Sequence, residues 1–142
     1  MNEKRKRKNK KIKNRMKIPK KPRDIETRTF EFGVRIIKLC QFLQGKSWVN
    51  STLGRQILRC GTSIGSNVEE AQAAESRADF ISKNNISLKE ARETHYRLRL
   101  LAAAEVVSPA RLQPILDEAL ELKRILGAIV VSTKRNLKFQ SD

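Results

Sequence analysis

The sequence predicts an all-α fold: an antiparallel up-down four-helix bundle led by a disordered basic N-terminal arm. Three observations carry that expectation. Beyond the N-terminal block, apolar residues recur at steps of three and four rather than two. Gly45, the Ser76/Asp79 pair and Ser108-Pro109 cut this region into four pieces, and no β-branched run with hairpin turns appears. With 142 residues, the chain has room for one domain with a real core.

The opening stretch, MNEKRKRKNKKIKNRMKIPKKPR, holds 13 of the 31 Lys and Arg and a single acid, Glu3. Residues 24–142 then carry 18 bases against 14 acids, so only +4 of the chain's +16 belongs to them. A like-charged run this poor in apolar groups cannot bury enough surface to offset the entropy of ordering. Residues 1–23 are therefore expected to be an arm ending at Pro19 and Pro22, and residues 24–142 the bundle domain. The arm would attract polyphosphate through counterion release. Its plainer use is to keep the chain soluble. It lacks the apolar centre of a secretory signal, and no run approaches the length of a bilayer span, so the expected location is cytoplasmic, with no membrane partner.

The first helix is expected from about Glu26 to Gln44, with Phe32, Ile36, Leu39 and Leu43 on one line, Phe30, Val34 and Ile37 widening it, and Gly45 as the stop. The second runs from about Val49 to Ala74 on Leu53, Ile57, Cys60, Ile64, Val68 and Ala71. Ser76-x-x-Asp79 caps a third that continues to about Glu105, on Phe80, Leu88, Ala91, Leu98 and Ala102. Ser108 caps the fourth and Pro109 takes its first position, where no N–H is needed. Its line of Leu112, Ile115, Ala119, Leu122, Leu126, Ile129 and Thr133 alternates steps of three and four, the seam of a bundle. Early acids (Asp117, Glu118, Glu121) and late bases (Lys134, Arg135, Lys138) complement its dipole. Long helices with short connections pack as neighbours in a four-helix bundle.

Chemistry is scarce in this pattern. CGTSIGSNVEE, Cys60 to Glu70, suggests a phosphate loop, but it has the wrong glycine spacing, no lysine and no preceding strand. It falls inside the second helix, where Gly61 and Gly65, four apart, suit close helix packing. The single histidine, His95, sits between Thr94 and Tyr96 in a helix, a poor start for a nucleophile-base pair. Cys40 and Cys60 lie on apolar lines, and two cysteines with one histidine do not complete a tetrahedral zinc site without a carboxylate. Glu90-x-x-Glu93 puts His95 out of step for a di-iron motif. No cofactor or metal and no catalysis is expected. Ser63, Asn67 and Glu70, one turn apart, are expected to meet Glu90, Arg92 or Glu93 across the second and third helices in a polar network that fixes register.

QILRCGTSIGSNVEEA and SRADFISKNNISLKEARETHYRLRLL make the chain resemble the 23S rRNA intervening-sequence proteins, a four-helix bundle family, over about Arg28 to Asn136. Gln56, Arg59, Ser63, Ile64, Asn67 and Glu70 fall on its Gln-x-x-Arg and Ser-Ile-x-x-Asn-x-x-Glu positions. Phe80, Lys89, Glu90, Ala91, Glu93, Tyr96 and Leu98 fall on its second pattern, whereas Arg97 replaces an expected aromatic and Asn84 an expected apolar residue. The resemblance implies an antiparallel bundle, often a ring-shaped homopentamer, with no known activity. The fold is also similar to the accessory variability determinant of diversity-generating retroelements, a basic pentamer that binds nucleic acid and a reverse transcriptase.

Two functions are therefore expected. The first is a non-enzymatic oligomer that binds RNA or DNA through backbone contacts, using Lys4, Arg5, Lys6, Arg7, Lys8, Lys10 and Lys11 of the arm with Arg55, Arg59, Arg92 and Arg99 of the helices. The second is an adaptor that docks a protein such as a reverse transcriptase. In either, Gln56, Arg59, Ser63, Asn67, Glu70, Glu90, Glu93 and Tyr96 form the family-pattern polar network.

Overall fold

The computed structural model describes residues 24–140 together with Asn2 and Glu3, and side chains as far as Asn136. The rest of the expected arm, with its seven assigned cations, lies outside the described residues. Within residues 24–140 four helices make a four-helix bundle with no strand: α1 (Ile25–Leu43), α2 (Trp48–Gln72), α3 (Arg77–Ala103) and α4 (Pro109–Gln140).

The helix ends follow local chemistry. Asp24 accepts the Thr27 N–H at 2.7 Å and Ser47 accepts the Asn50 N–H at 3.0 Å, so each satisfies a free donor of a first turn. Ser76 does the same for Asp79 at 3.0 Å. Gly45 ends α1 with φ +76°, a backbone region glycine enters freely. Glu105 takes the equivalent place after α3 with φ 55°. There the Val106 and Glu105 N–H groups return to the Leu101 and Ala102 carbonyls, closing a Schellman turn without a glycine.

Packing follows chain order: α1 on α2, α2 on α3 and α3 on α4, with a shorter contact between α4 and α1. Cys40 donates its S–H to the Gly54 carbonyl, and added Cβ atoms on Gly61 and Gly65 would meet Ile36 and Thr29, so α1 and α2 run in opposite directions. The glycine pair is a trough for α1. On the other side of α2, Ser87 donates across to the Ile64 carbonyl at 2.8 Å, a buried bond that pins α3.

The core contains Phe32, Ile36, Leu43, Ile57, Ile64, Val68, Leu98, Leu112, Leu122 and Leu126, as the apolar lines predict, while on α3 Leu101 is buried and the expected Phe80 and Ala102 are only half-buried. Two further expectations need correction. Phe30, Val34 and Ile37 do not widen the buried line of α1; they are exposed, Phe30 by 67%, because neighbouring helices cover only the Phe32 side. Late in α4, the helix buries Val130, leaving Ile129 and Thr133 half-buried, since a helix of 3.6 residues per turn drifts off a 3.5-residue seam.

Candidate functional site

The densest polar constellation lies where α2 and α3 face each other. Gln56 and Arg59 are one turn apart on α2; Glu90, Glu93 and Arg97 rise at matching intervals on α3. Arg59 donates to both Glu93 oxygens at 2.7 and 2.9 Å, and reaches Glu90 at 3.5 Å. Arg97 donates from Nε and Nη2 to Glu93 at 3.1 and 3.0 Å, and from Nη1 to the Gln56 carbonyl oxygen at 2.6 Å. Glu93 is thus clamped between two guanidiniums. Desolvation pushes its carboxyl up, but the hydrogen bonds from Arg59 and Arg97 outweigh that and hold it below the ordinary glutamate value. The Glu90 Oε2 atom is buried without a hydrogen-bond partner.

The structure brings together Gln56, Arg59, Glu90 and Glu93 from the expected network and separates the others. Ser63 donates to the Arg59 carbonyl at 2.6 Å and Asn67 to the Ser63 carbonyl at 2.8 Å, both within α2. These short side chains find an acceptor one turn back sooner than one across the helix pair. Glu70 and Tyr96 are exposed, and Glu70 has no ion pair among the described residues. Arg97, a departure from the family pattern, is the member sequence reasoning left out. Its signal was available: it lies four residues after Glu93, the spacing of a helical ion pair.

The helix-borne cations assigned to nucleic acid fall into two groups. Arg59 is exposed yet engaged with Glu93 and Glu90. Arg55, Arg92 and Arg99 are exposed and have no carboxylate partner among the described residues. His95 faces Lys123, whose Nζ lies 3.4 Å from its Nδ1. Desolvation, then the charges of Lys123 and Arg99, lower the imidazole pKa, favouring the neutral ring. Both thiols are buried; desolvation pushes Cys40 up to about 11, with Cys60 adding to it, and burial likewise raises Cys60. Neither thiol is poised as a thiolate nucleophile. Among the described residues no cluster of three His, Cys, Asp or Glu is placed to hold a metal, and no helix is long and apolar enough to cross a membrane.

An apolar strip runs along the outside of α1 and α2. Phe30, Val34 and Ile37 flank Gly33, opposite Thr62, Gly65 and Ser66, around a depression of about 340 Å³. It meets a second depression of about 580 Å³ at Ile37, lined further by Leu58 and Arg55.

Residues 23–128 match the family described as 23S rRNA-intervening sequence protein. Among solved structures, the chain is similar to a Bacteroides thetaiotaomicron VPI-5482 protein of unknown function from the S23 ribosomal protein family, with 43% identity and a TM-score of 0.70. That likeness covers 75% of this chain and 98% of the other. No curated protein matches. No enzymatic family is indicated among these likenesses.

Proposed function

Because this chain belongs to the 23S rRNA-intervening sequence protein family, we propose that it is a non-enzymatic, self-associating bundle that holds RNA or DNA by the phosphate backbone in the cytoplasm. The observation that carries this reading is the surplus of cations without anionic partners. Arg55, Arg92 and Arg99 stand exposed and unpaired among the described residues, on a chain whose formal charge is +16. Such charges gain affinity from counterion release rather than from base recognition. Self-association is supported by the Phe30, Val34, Ile37 and Leu58 strip, which a second copy would cover. A homopentamer is the assembly the sequence resemblance suggests.

Binding of the full chain to 23S rRNA fragments across a salt series tests the reading. Log affinity is expected to fall linearly with log salt, and removal of residues 1–23 to flatten the slope by the arm's share. Absence of binding at low salt would overturn it.

The same apolar strip supports a second reading, an adaptor that docks another protein such as a reverse transcriptase. A monomer by light scattering that binds no rRNA fragment would favour the adaptor.

A further inference from the structure

Where the second half of α1 meets the first turns of α4, a cavity of about 250 Å³ is lined by Arg35, Lys38, Leu39 and Phe42 on one side and Val107, Arg111, Leu112 and Ile115 on the other. Three cations and no carboxylate line it. A fourth joins them at the rim: the Lys46 Nζ lies 4.0 Å from the centroid of the Phe42 ring, and the Arg111 guanidinium carbon 4.7 Å from it. The ring's electron-rich face holds both cations. None of the four has an ion pair among the described residues. Like charges converging on one groove repel in the free protein, and an arriving anion removes that repulsion.

The spacing has a simple origin. Arg35, Lys38 and Phe42 stand at i, i+3 and i+7 on α1, so one face of that helix carries all three. Arg111 is placed by the cap of α4, where the Ser108 hydroxyl accepts the Arg111 N–H at 3.3 Å. The positive end of the α4 dipole lies beside the same groove. Two guanidiniums and an ammonium suit phosphate oxygens, the arginines bidentately and the lysine as a point charge.

We propose that this α1–α4 groove is a phosphodiester-binding site of the bundle itself, taking the backbone of an RNA or DNA strand through Arg35, Lys38, Lys46 and Arg111. It rests on the nucleic-acid reading above, and adds to it a place distinct from the arm and from the α2 and α3 arginines.

The full-length chain and the variant R35Q/K38Q/R111Q are titrated with a labelled 23S rRNA fragment over a salt series, beside R77Q/R124Q/K134Q, which removes equal charge elsewhere. Each phosphate contact contributes about 0.7–0.9 to the salt slope, so the groove variant is expected to flatten it by about 2 and weaken binding about 10- to 100-fold near 0.1 M salt. The control is expected to stay near wild type. The groove variant should melt no lower than the wild type, which separates lost binding from lost fold. If groove and control variants behave alike while the wild type binds, the groove is overturned and the nucleic-acid reading stands. If the wild type binds no fragment at low salt, both fall. Stabilisation by inorganic pyrophosphate that the groove variant abolishes, with RNA affinity unchanged, would overturn the polynucleotide site in favour of a small-anion one.

Discussion

Gly61 and Gly127 are both helix-interior glycines, yet replacing each with alanine is expected to act in opposite directions. Helix propensity favours alanine at either place by about 1 kcal/mol. At Gly127 nothing lies within 4 Å of an added Cβ, so the full gain is expected. At Gly61 the new carbon would lie 2.8 Å from both Cγ1 and Cγ2 of Ile36, which is fully buried. Overpacking of about 1–3 kcal/mol then offsets or outweighs propensity and gives a net loss of up to about 2 kcal/mol in urea unfolding. Two titrating groups give a second expectation. His95 has a lowered folded pKa, so the unfolded chain takes its proton first and stability falls as pH drops below about 6.5. Glu93, also lowered, adds a further loss as pH falls below about 4.5. Stability against pH should therefore descend in two steps, with His95→Gln flattening the upper and Glu93→Gln the lower. The α2–α3 polar face was partly legible in sequence: spacing singles out Glu90 and Glu93, and the family resemblance adds Gln56 and Arg59. Ser63 and Asn67 do not, because a periodic pattern gives the face a side chain occupies but not whether it bonds its own helix.

The turn after α3 stores a conformational cost. Glu105 holds φ 55°, a region that costs a side-chain-bearing residue about 1 kcal/mol or more, and glycine far less. Glu105→Gly is expected to raise the unfolding midpoint by the equivalent of about 1 kcal/mol, less the greater freedom glycine gives the unfolded chain. A lower midpoint would contradict it. Sequence placed this helix end because Ser108 and Pro109 reset the pattern, but the left-handed residue was not readable, as no glycine marks it. The α1 end, marked by Gly45, was. The exposed Phe30, Val34 and Ile37 were misassigned for a related reason: α1 carries a second apolar face, and only its neighbours decide which one is buried.

The assembled bundle presents that second face to solvent, and its use is measurable. Ile37→Glu, placed where the two outer depressions meet, is expected to shift the protein to smaller assemblies by light scattering while leaving helicity unchanged. Unchanged size would remove the strip from the interface. The seam between the first and last helices has a different consequence. Arg28 on α1 is paired with Glu118 on α4, donating also from Nε at 3.2 Å, across 90 residues of chain. Ribosomal synthesis covers that interval in on the order of ten seconds, while Ile36 and Thr29 gain their glycine trough as soon as Gly61 and Gly65 emerge. The nascent chain therefore passes through a stage in which α1 and α2 can already pair, but the core surface α4 will cover is still wet. Quality control inside the cell would meet this protein at that moment, when a folding factor or a second nascent copy can reach a surface the finished bundle hides.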